Sequence, residues 1–217
     1  DWDNWRGIEF RDSSDDAASL IDHAEVRYAG HSDRGGINLK SASPTIRNST
    51  LTDGYLAIRA NPNSSPSLIN NTYSDNLYNA LGYEGGTISS NPTWAIADIT
   101  YFVIDDIIVG PGSTLKIQSG VVVKFENGRD LIVDGTLQVL GAAANPVYFT
   151  SILDDTVGGD TNGDGGASTP DWDNWRGIEF RDSSDDAASL IDHAEVRYAG
   201  HSDRGGINLK SASPTIR

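Results

Sequence analysis

The chain has 217 residues, of which 37% are hydrophobic, and it contains neither cysteine nor methionine. Its 31 acidic and 16 basic side chains give a formal net charge of −15. Surfaces that bind nucleic acid need clustered Lys and Arg, so we expect no nucleic-acid partner. The absence of a run of 18 apolar residues predicts no membrane insertion, and the absence of cysteine excludes disulfides and thiolate zinc sites.

The first 47 residues occur twice without a change. Asp1–Arg47 recurs as Asp171–Arg217, 170 residues further along the chain. Such identity indicates recent copying within an array of 170-residue units, and an engineered duplication is the alternative. We therefore expect the chain to start and stop in the middle of a structural unit.

A shorter period of about 22 residues lies inside this unit. The segments that begin at Ser43 and Ser65 share one pattern of apolar, Asn, Thr and Asp positions. The matched residues are Ile46 with Leu68, Asn48 with Asn70 and Leu51 with Tyr73, and the upstream segment adds Ile21, His23 and Val26 to the same columns. This period is typical of stacked structural repeats.

The middle of the chain predicts short strands separated by Gly, Asn, Asp and Pro turns, without a sustained helical periodicity. The predicted strands cover residues 107–109, 115–117, 121–125, 131–133, 137–139 and 147–150. A sandwich and a solenoid can both be built from such strands. The 22-residue period favours an all-β parallel β-solenoid, in which each turn stacks on the turn before it.

Two long segments resemble the opening of bacterial right-handed parallel β-helix repeat proteins. They are GPGSTLKIQSGVVVKF (residues 110–125) and LIVDGTLQVLGAAANPVYFTS (residues 131–151), and the pieces WRGIEF, LIDHAEVRYAG and SPTIRNST also have counterparts in that family. The resemblance implies a right-handed parallel β-helix. It further implies that residues 1–83 are the C-terminal rungs of one unit, 84–99 a junction and 100–217 the N-terminal rungs of the next. Members of this family include surface proteins, adhesins and polysaccharide-active enzymes.

Residues 160–165 read Asp-Thr-Asn-Gly-Asp-Gly, which matches the opening of a calcium loop. Oxygen-bearing side chains recur there at alternate positions, and Gly permits the tight turn. The predicted Ca²⁺ ligands are Asp160, Asn162, Asp164, Gly166 through its carbonyl, Ser168 and Asp171. Since Asp171 stands where an EF-hand carries Glu, the loop resembles the dockerin version. Asp154 and Asp155 are further candidates, and a polar turn that needs no metal is the alternative.

The histidines are interpreted mainly as structural. His23 falls in the column of Asn48 and Asn70, which predicts a polar ladder along the turns. His31 lies in a polar loop with Asp33 that projects from the rod. Such a loop could contact a ligand, but exposed polar loops are more often only solvated.

The tryptophans are candidates for stacking on carbohydrate. Trp2 and Trp94 lie near predicted loops, whereas Trp5 begins an apolar strand and is more typical of a core residue. Motifs of the serine-hydrolase, zinc-protease and P-loop types are absent from the sequence, and the adjacent Asp pairs are not spaced like a catalytic dyad. We therefore expect that the protein is not an enzyme.

Together these features predict a structural tandem-repeat segment of an extracellular or cell-surface bacterial stalk, fibre or filament. We expect it to be stabilised by calcium and to stack end to end with itself. Millimolar calcium outside the cell can saturate even a modest site. An adhesin or carbohydrate-binding β-helix module, with surface carbohydrate as its partner, is the first alternative, and a polysaccharide lyase or hydrolase comes third.

Overall fold

The computed structural model describes residues 5–95, 99–201 and 204–217. Over these residues the chain forms 24 strands, β1 to β24, and no helix. The strands pair in parallel with those of the preceding and following turns. In this part of the chain no helix could cross a membrane. The protein is therefore an all-β parallel β-solenoid, as the 22-residue period predicts.

One sheet, the long sheet, runs through eight successive turns. Its strands are β1 (Ile8–Arg11), β4 (Gly35–Lys40), β7 (Leu56–Ala60), β10 (Tyr78–Tyr83), β13 (Thr100–Val103), β16 (Val122–Phe125), β19 (Val147–Ser151) and β22 (Ala194–Val196).

The other two faces are divided along the chain. The early turns carry two three-stranded sheets, which are β2 (Leu20–Asp22), β5 (Thr45–Arg47) and β8 (Ser67–Ile69), and β3 (Glu25–Arg27), β6 (Thr50–Thr52) and β9 (Thr72–Ser74). The later turns carry two five-stranded sheets. The first consists of β11 (Gly86–Ile88), β14 (Ile107–Val109), β17 (Asp130–Val133), β20 (Gly177–Phe180) and β23 (Ile207–Leu209). The second consists of β12 (Thr93–Trp94), β15 (Thr114–Gln118), β18 (Thr136–Leu140), β21 (Leu190–Asp192) and β24 (Thr215–Ile216).

The strand registers confirm the 22-residue alignment. Ile46 pairs with Ile21 on one side and with Leu68 on the other, and Leu51 pairs with Tyr73. The six strands predicted in the middle of the chain are all present, as β14 to β19. Because neighbouring residues of a strand point to opposite faces, these columns place apolar side chains of successive turns on top of each other in the core.

The column of His23, Asn48 and Asn70 forms a turn with left-handed backbone, at φ angles of 52°, 49° and 53°. Asn adopts this conformation readily because its short polar side chain bonds locally. The caps on the backbone of neighbouring turns come from the next position, where the Ser49 hydroxyl oxygen accepts the amide of Ala24 at 3.1 Å. The amide of Ser49 donates to Asn71 Oδ1 at 3.1 Å, so the polar ladder lies one position beyond the predicted column.

Trp94 lies in the core, so it cannot be the carbohydrate platform for which it was one candidate. The indole is stacked between Tyr83 and Tyr101, with ring centroids 5.0 Å and 4.9 Å away, and it is 1% exposed. The strand pair β12–β15 turns this side chain inward, where offset aromatic stacking adds to the gain from burial. Trp2 lies outside the described residues.

Two of the three faces are interrupted beside the segment predicted as the junction, residues 84–99. The early sheets end at β8 and β9, and the later sheets begin at β11 and β12. In the described part of this region only the long sheet is continuous, and Leu81 of β10 pairs there with Tyr101 of β13. Residues 84–99 themselves contribute β11 and β12.

The two identical copies form the same internal pairs but belong to different sheets. Ile8 pairs with Ile37, and the copied residues Ile178 and Ile207 pair in the same way. However, β1 and β4 lie in the long sheet, whereas their copies β20 and β23 lie in the first later sheet. β1 is the first strand of the long sheet, whereas its copy β20 comes directly after β19, the seventh strand, and lies on the next face. One 170-residue unit therefore advances the solenoid by six turns plus one face.

Candidate metal centre

The predicted calcium motif lies in an excursion between β19 and β20, residues 152–170, which we call the outer loop. The loop starts at Ile152, which is buried against Leu56, Ala80 and Phe102. These three side chains point outward from the long sheet, where a solenoid exposed to water would carry polar residues. The outer loop covers them, and this apolar packing fixes it on the outer face of the sheet.

Three carboxylates of the outer loop converge. Asp155, Asp160 and Asp164 each offer an oxygen atom, and these atoms all lie within 4.8 Å of one another. Calcium binds oxygen ligands at about 2.3–2.6 Å, so ligands on opposite sides of one ion are about 5 Å apart. The three oxygens can therefore contact a single calcium ion.

Asp160 holds the motif in a tight turn. Its carboxylate accepts hydrogen bonds from the backbone amides of Asp164 at 3.2 Å and Gly165 at 2.8 Å. Gly163 and Gly165 adopt φ angles of 65° and 66°, which glycine does without a steric penalty. The alternation of acidic and glycine residues thus bends the chain back on itself and brings Asp164 toward Asp160.

Asp164 organises the following turn. Its carboxylate accepts the Ser168 hydroxyl and the amides of Gly166 at 2.8 Å, Ala167 at 3.0 Å and Ser168 at 3.0 Å. The hydrogen bond from the Ser168 hydroxyl and these amide bonds lower the pKa of Asp164. The side chain is therefore held as a carboxylate, which is the form that binds a cation.

Two buried oxygens of the loop accept no hydrogen bond. Within the outer loop these are Oδ1 of Asp155 and Oδ1 of Asn162. Burial raises the pKa of Asp155, and the charge of Asp160 raises it further. A cation bound by the clustered carboxylates would supply a partner for Asp155 and offset the repulsion among the three negative charges.

Lys124 provides a positive charge beneath the loop. It lies on the outer face of β16, is fully buried, and donates from Nζ to the carbonyl oxygen of Gly159 at 2.7 Å. Burial lowers the pKa of Lys124 to about 8, and the nearby charges of Asp155, Asp154 and Asp160 act against this. The ammonium thus compensates part of the loop's negative charge.

The other predicted ligands lie beside the cluster or outside it. Asn162 Nδ2 donates to Asp164 at 2.9 Å. Asp171 is not among the three clustered carboxylates; its side chain accepts the Trp172 amide at 2.7 Å. Asp155 is the third carboxylate of the cluster because the loop folds back over the sheet. No sequence spacing singled it out.

Asp154, the neighbouring candidate, serves a structural purpose instead. Its carboxylate accepts the hydroxyls of Thr150 at 2.7 Å and Thr156 at 2.5 Å. The projecting His31 is exposed, and its Nδ1 lies 2.7 Å from the hydroxyl of Ser32 in the same loop.

Comparison with known proteins gives little functional information. No family model matches the chain, and no solved structure matches it. The chain is similar to Protein bark beetle of Drosophila melanogaster, with 31% identity over 75 residues, which is 35% of this chain. The match spans only 2% of the length of that protein.

Proposed function

We propose that the chain is a structural segment of an extracellular or cell-surface stalk, fibre or filament, stabilised by calcium and able to stack end to end with copies of itself. The resemblance of its sequence to bacterial β-helix surface proteins, with a dockerin-like calcium loop, agrees with this role. The observation that carries the proposal is the parallel pairing of each turn with the next along the eight-stranded long sheet, a geometry in which a further turn can stack on either end.

The duplicated sequence supplies an internal comparison for these ends. Trp5 in the first turn is 41% exposed, whereas its copy Trp175 is fully buried. Ile216 in the last turn is 48% exposed, whereas its copy Ile46 is fully buried. A further turn stacked on either end would bury these side chains and pair the open strand edges.

The acidic outer loop supports calcium as the stabilising ion. Its candidate ligands are oxygens only, three of them from the carboxylates of Asp155, Asp160 and Asp164, and hard oxygen donors favour calcium over softer metals. The net charge of −15 also makes a divalent cation a natural counter-ion.

Sedimentation and electron microscopy over a range of protein concentrations test the stacking. We expect the wild-type chain with calcium to form elongated particles whose length grows with concentration. Ile216→Lys should prevent this by placing a charge on one end. The matched control, Leu140→Lys, alters an exposed apolar residue on the side of the rod and should leave growth unchanged. A wild-type chain that stays monomeric at all concentrations would contradict the stacking.

Titration calorimetry with Ca²⁺ tests the metal site directly. We expect one ion per outer loop and a higher midpoint of thermal unfolding, because a ligand that binds only the folded state stabilises it. An unchanged midpoint after chelation would count against calcium.

A carbohydrate-binding role is the second candidate, and one cleft favours it. A cavity of about 530 Å³ lies beside the tip of the outer loop, and Tyr28, Asp53, Asp75 and Asn79 are among its lining residues. An aromatic ring with several hydrogen-bonding groups suits a saccharide. Glycan-array binding that is lost in Tyr28→Ala, but kept in Trp172→Ala on another exposed aromatic residue, would support this role.

A further inference from the structure

The outer loop reaches back over several turns. It leaves the seventh strand of the long sheet, β19, and its tip lies against the fourth strand, β10. There the amide of Asn79 donates to the carbonyl oxygen of Thr161 at 3.1 Å. Three turns at a spacing of about 4.8 Å correspond to about 14 Å along the rod.

A β-bulge makes this contact possible. Tyr78 of β10 pairs with Leu56, and Leu81 pairs with Ile58, so the register shifts between the two pairs. The residues inside the shift are released from regular pairing. The amide of Asn79 therefore points away from the ladder and is available to the outer loop.

The outer loop is hydrogen-bonded to each turn that it crosses. Besides the Asn79 bond on β10, the hydroxyl of Thr100 on β13 donates to the Gly158 carbonyl at 3.2 Å. Lys124 on β16 donates to the Gly159 carbonyl at 2.7 Å. The bonded strands β10 and β13 lie on either side of residues 84–99, the segment predicted as the junction, because β10 ends at Tyr83 and β13 begins at Thr100.

We infer that the outer loop is a clasp that reinforces the junction, and that cation binding to it controls how tightly the clasp closes. The second part rests on the calcium site proposed above. The carbonyls that accept hydrogen bonds from the sheet belong to Gly158, Gly159 and Thr161. They lie in the same short stretch of chain as the clustered carboxylates of Asp155 and Asp160. Without a cation the carboxylates repel one another and push the loop open, whereas a bound cation draws them together and fixes these carbonyls over the sheet.

Amide hydrogen exchange in the full chain measures this closure, with Ca²⁺ compared with EDTA. The Asn79 amide reports on the clasp, and the Ile104 amide, which donates to Tyr83 across the junction, reports on the junction. Both should exchange faster in EDTA, by a factor in the range of about 5 to 150 that is usual for coupled sites. The Thr50 amide, which donates to the Ala24 carbonyl oxygen at 2.9 Å in the early turns, should keep its rate.

Three results would overturn the inference, and they can be told apart. If calorimetry shows Ca²⁺ binding but the Asn79 rate stays the same, the metal site stands and control of the clasp is refuted. If Asn79 responds but Ile104 does not, the loop moves locally and does not reinforce the junction. If no Ca²⁺ binds at all, the proposed metal site fails and control by the cation fails with it.

A pair of glycine variants tests the clasp without altering a carboxylate. In Gly163→Ala the new Cβ would lie 3.1 Å from the Leu77 carbonyl oxygen on the sheet. In Gly159→Ala the new Cβ would have no neighbour within 4 Å, although both positions have positive φ, at 65° and 72°. With calcium present, Gly163→Ala should speed Asn79 exchange several-fold more than Gly159→Ala, and equal rates would refute the docking of the tip.

Discussion

The indole of Trp175 lies flat on the ring of Phe125, with centroids 4.0 Å apart and an angle of 6° between the planes. Its copy Trp5 has the same sequence neighbours and makes the same hydrogen bond from Nε1 to a backbone carbonyl, at 2.7 Å in both copies. The two tryptophans differ in whether a preceding turn covers the ring. The pair therefore isolates what stacking between turns contributes.

Trp175→Ala should lower the free energy of unfolding by about 3–5 kcal/mol, the usual range for a buried aromatic residue in a core. Trp5→Ala should lower it by less than half as much, because that ring is already 41% exposed. Urea unfolding of both variants measures the difference. Equal losses would show that covering the ring by a neighbouring turn contributes little to stability.

Asp155→Asn should weaken calcium binding more than Asp171→Asn, although only Asp171 belongs to the sequence motif. Asp155 lies in the carboxylate cluster and Asp171 does not. Losing one charged ligand should raise the dissociation constant at least about tenfold, or about 1.4 kcal/mol. Titration calorimetry with Ca²⁺ on both variants measures the two dissociation constants. A larger effect of Asp171→Asn would restore the dockerin-like ligand set.

Lys124 should make stability rise with pH above about 8 in the presence of EDTA. Burial lowers its pKa in the folded state to about 8 from the ordinary value of 10.5. Between these values the unfolded chain keeps a proton that the folded chain has lost, so the free energy of unfolding increases with pH. The slope is at most about 1.4 kcal/mol per pH unit.

Urea unfolding from pH 7.5 to about 9.5, below the ordinary titration of tyrosine, measures this slope. Lys124→Met should abolish the dependence of the free energy of unfolding on pH. The control variant Lys116→Met changes a less buried lysine and should retain this dependence. A slope that persists in Lys124→Met would assign it to another group.

A chain extended by another copy of residues 48–217 should carry its second outer loop one face further around the rod. This follows because one unit advances the solenoid by six turns plus one face. Electron cryomicroscopy of the extended chain shows the positions of both loops. Two loops in one row along the rod would mean that the unit spans a whole number of turns.

The strand columns could be predicted from sequence because stacking repeats the same environment every turn. Ile46 and Leu68 occupy equivalent apolar positions, and their spacing of 22 residues is the length of the chain in one turn. The polar ladder was predicted one residue away from Asn71, because the sequence does not show which of two neighbouring turn residues points toward the next turn. The core position of Trp94 was missed for a similar reason, since the short strand β12 lies in a segment without clear alternation.

The sequence by itself determined the parallel solenoid, its period and the acidic turn of Asp160 and Asp164, since each depends on local spacing. Tertiary structure decided that Asp155 joins this turn, because its place depends on how the outer loop packs against Phe102 and Lys124. It also decided which sheet each identical copy enters. Identical residues form the same local strands, but the sheet that they join is set by the turns already stacked beneath them.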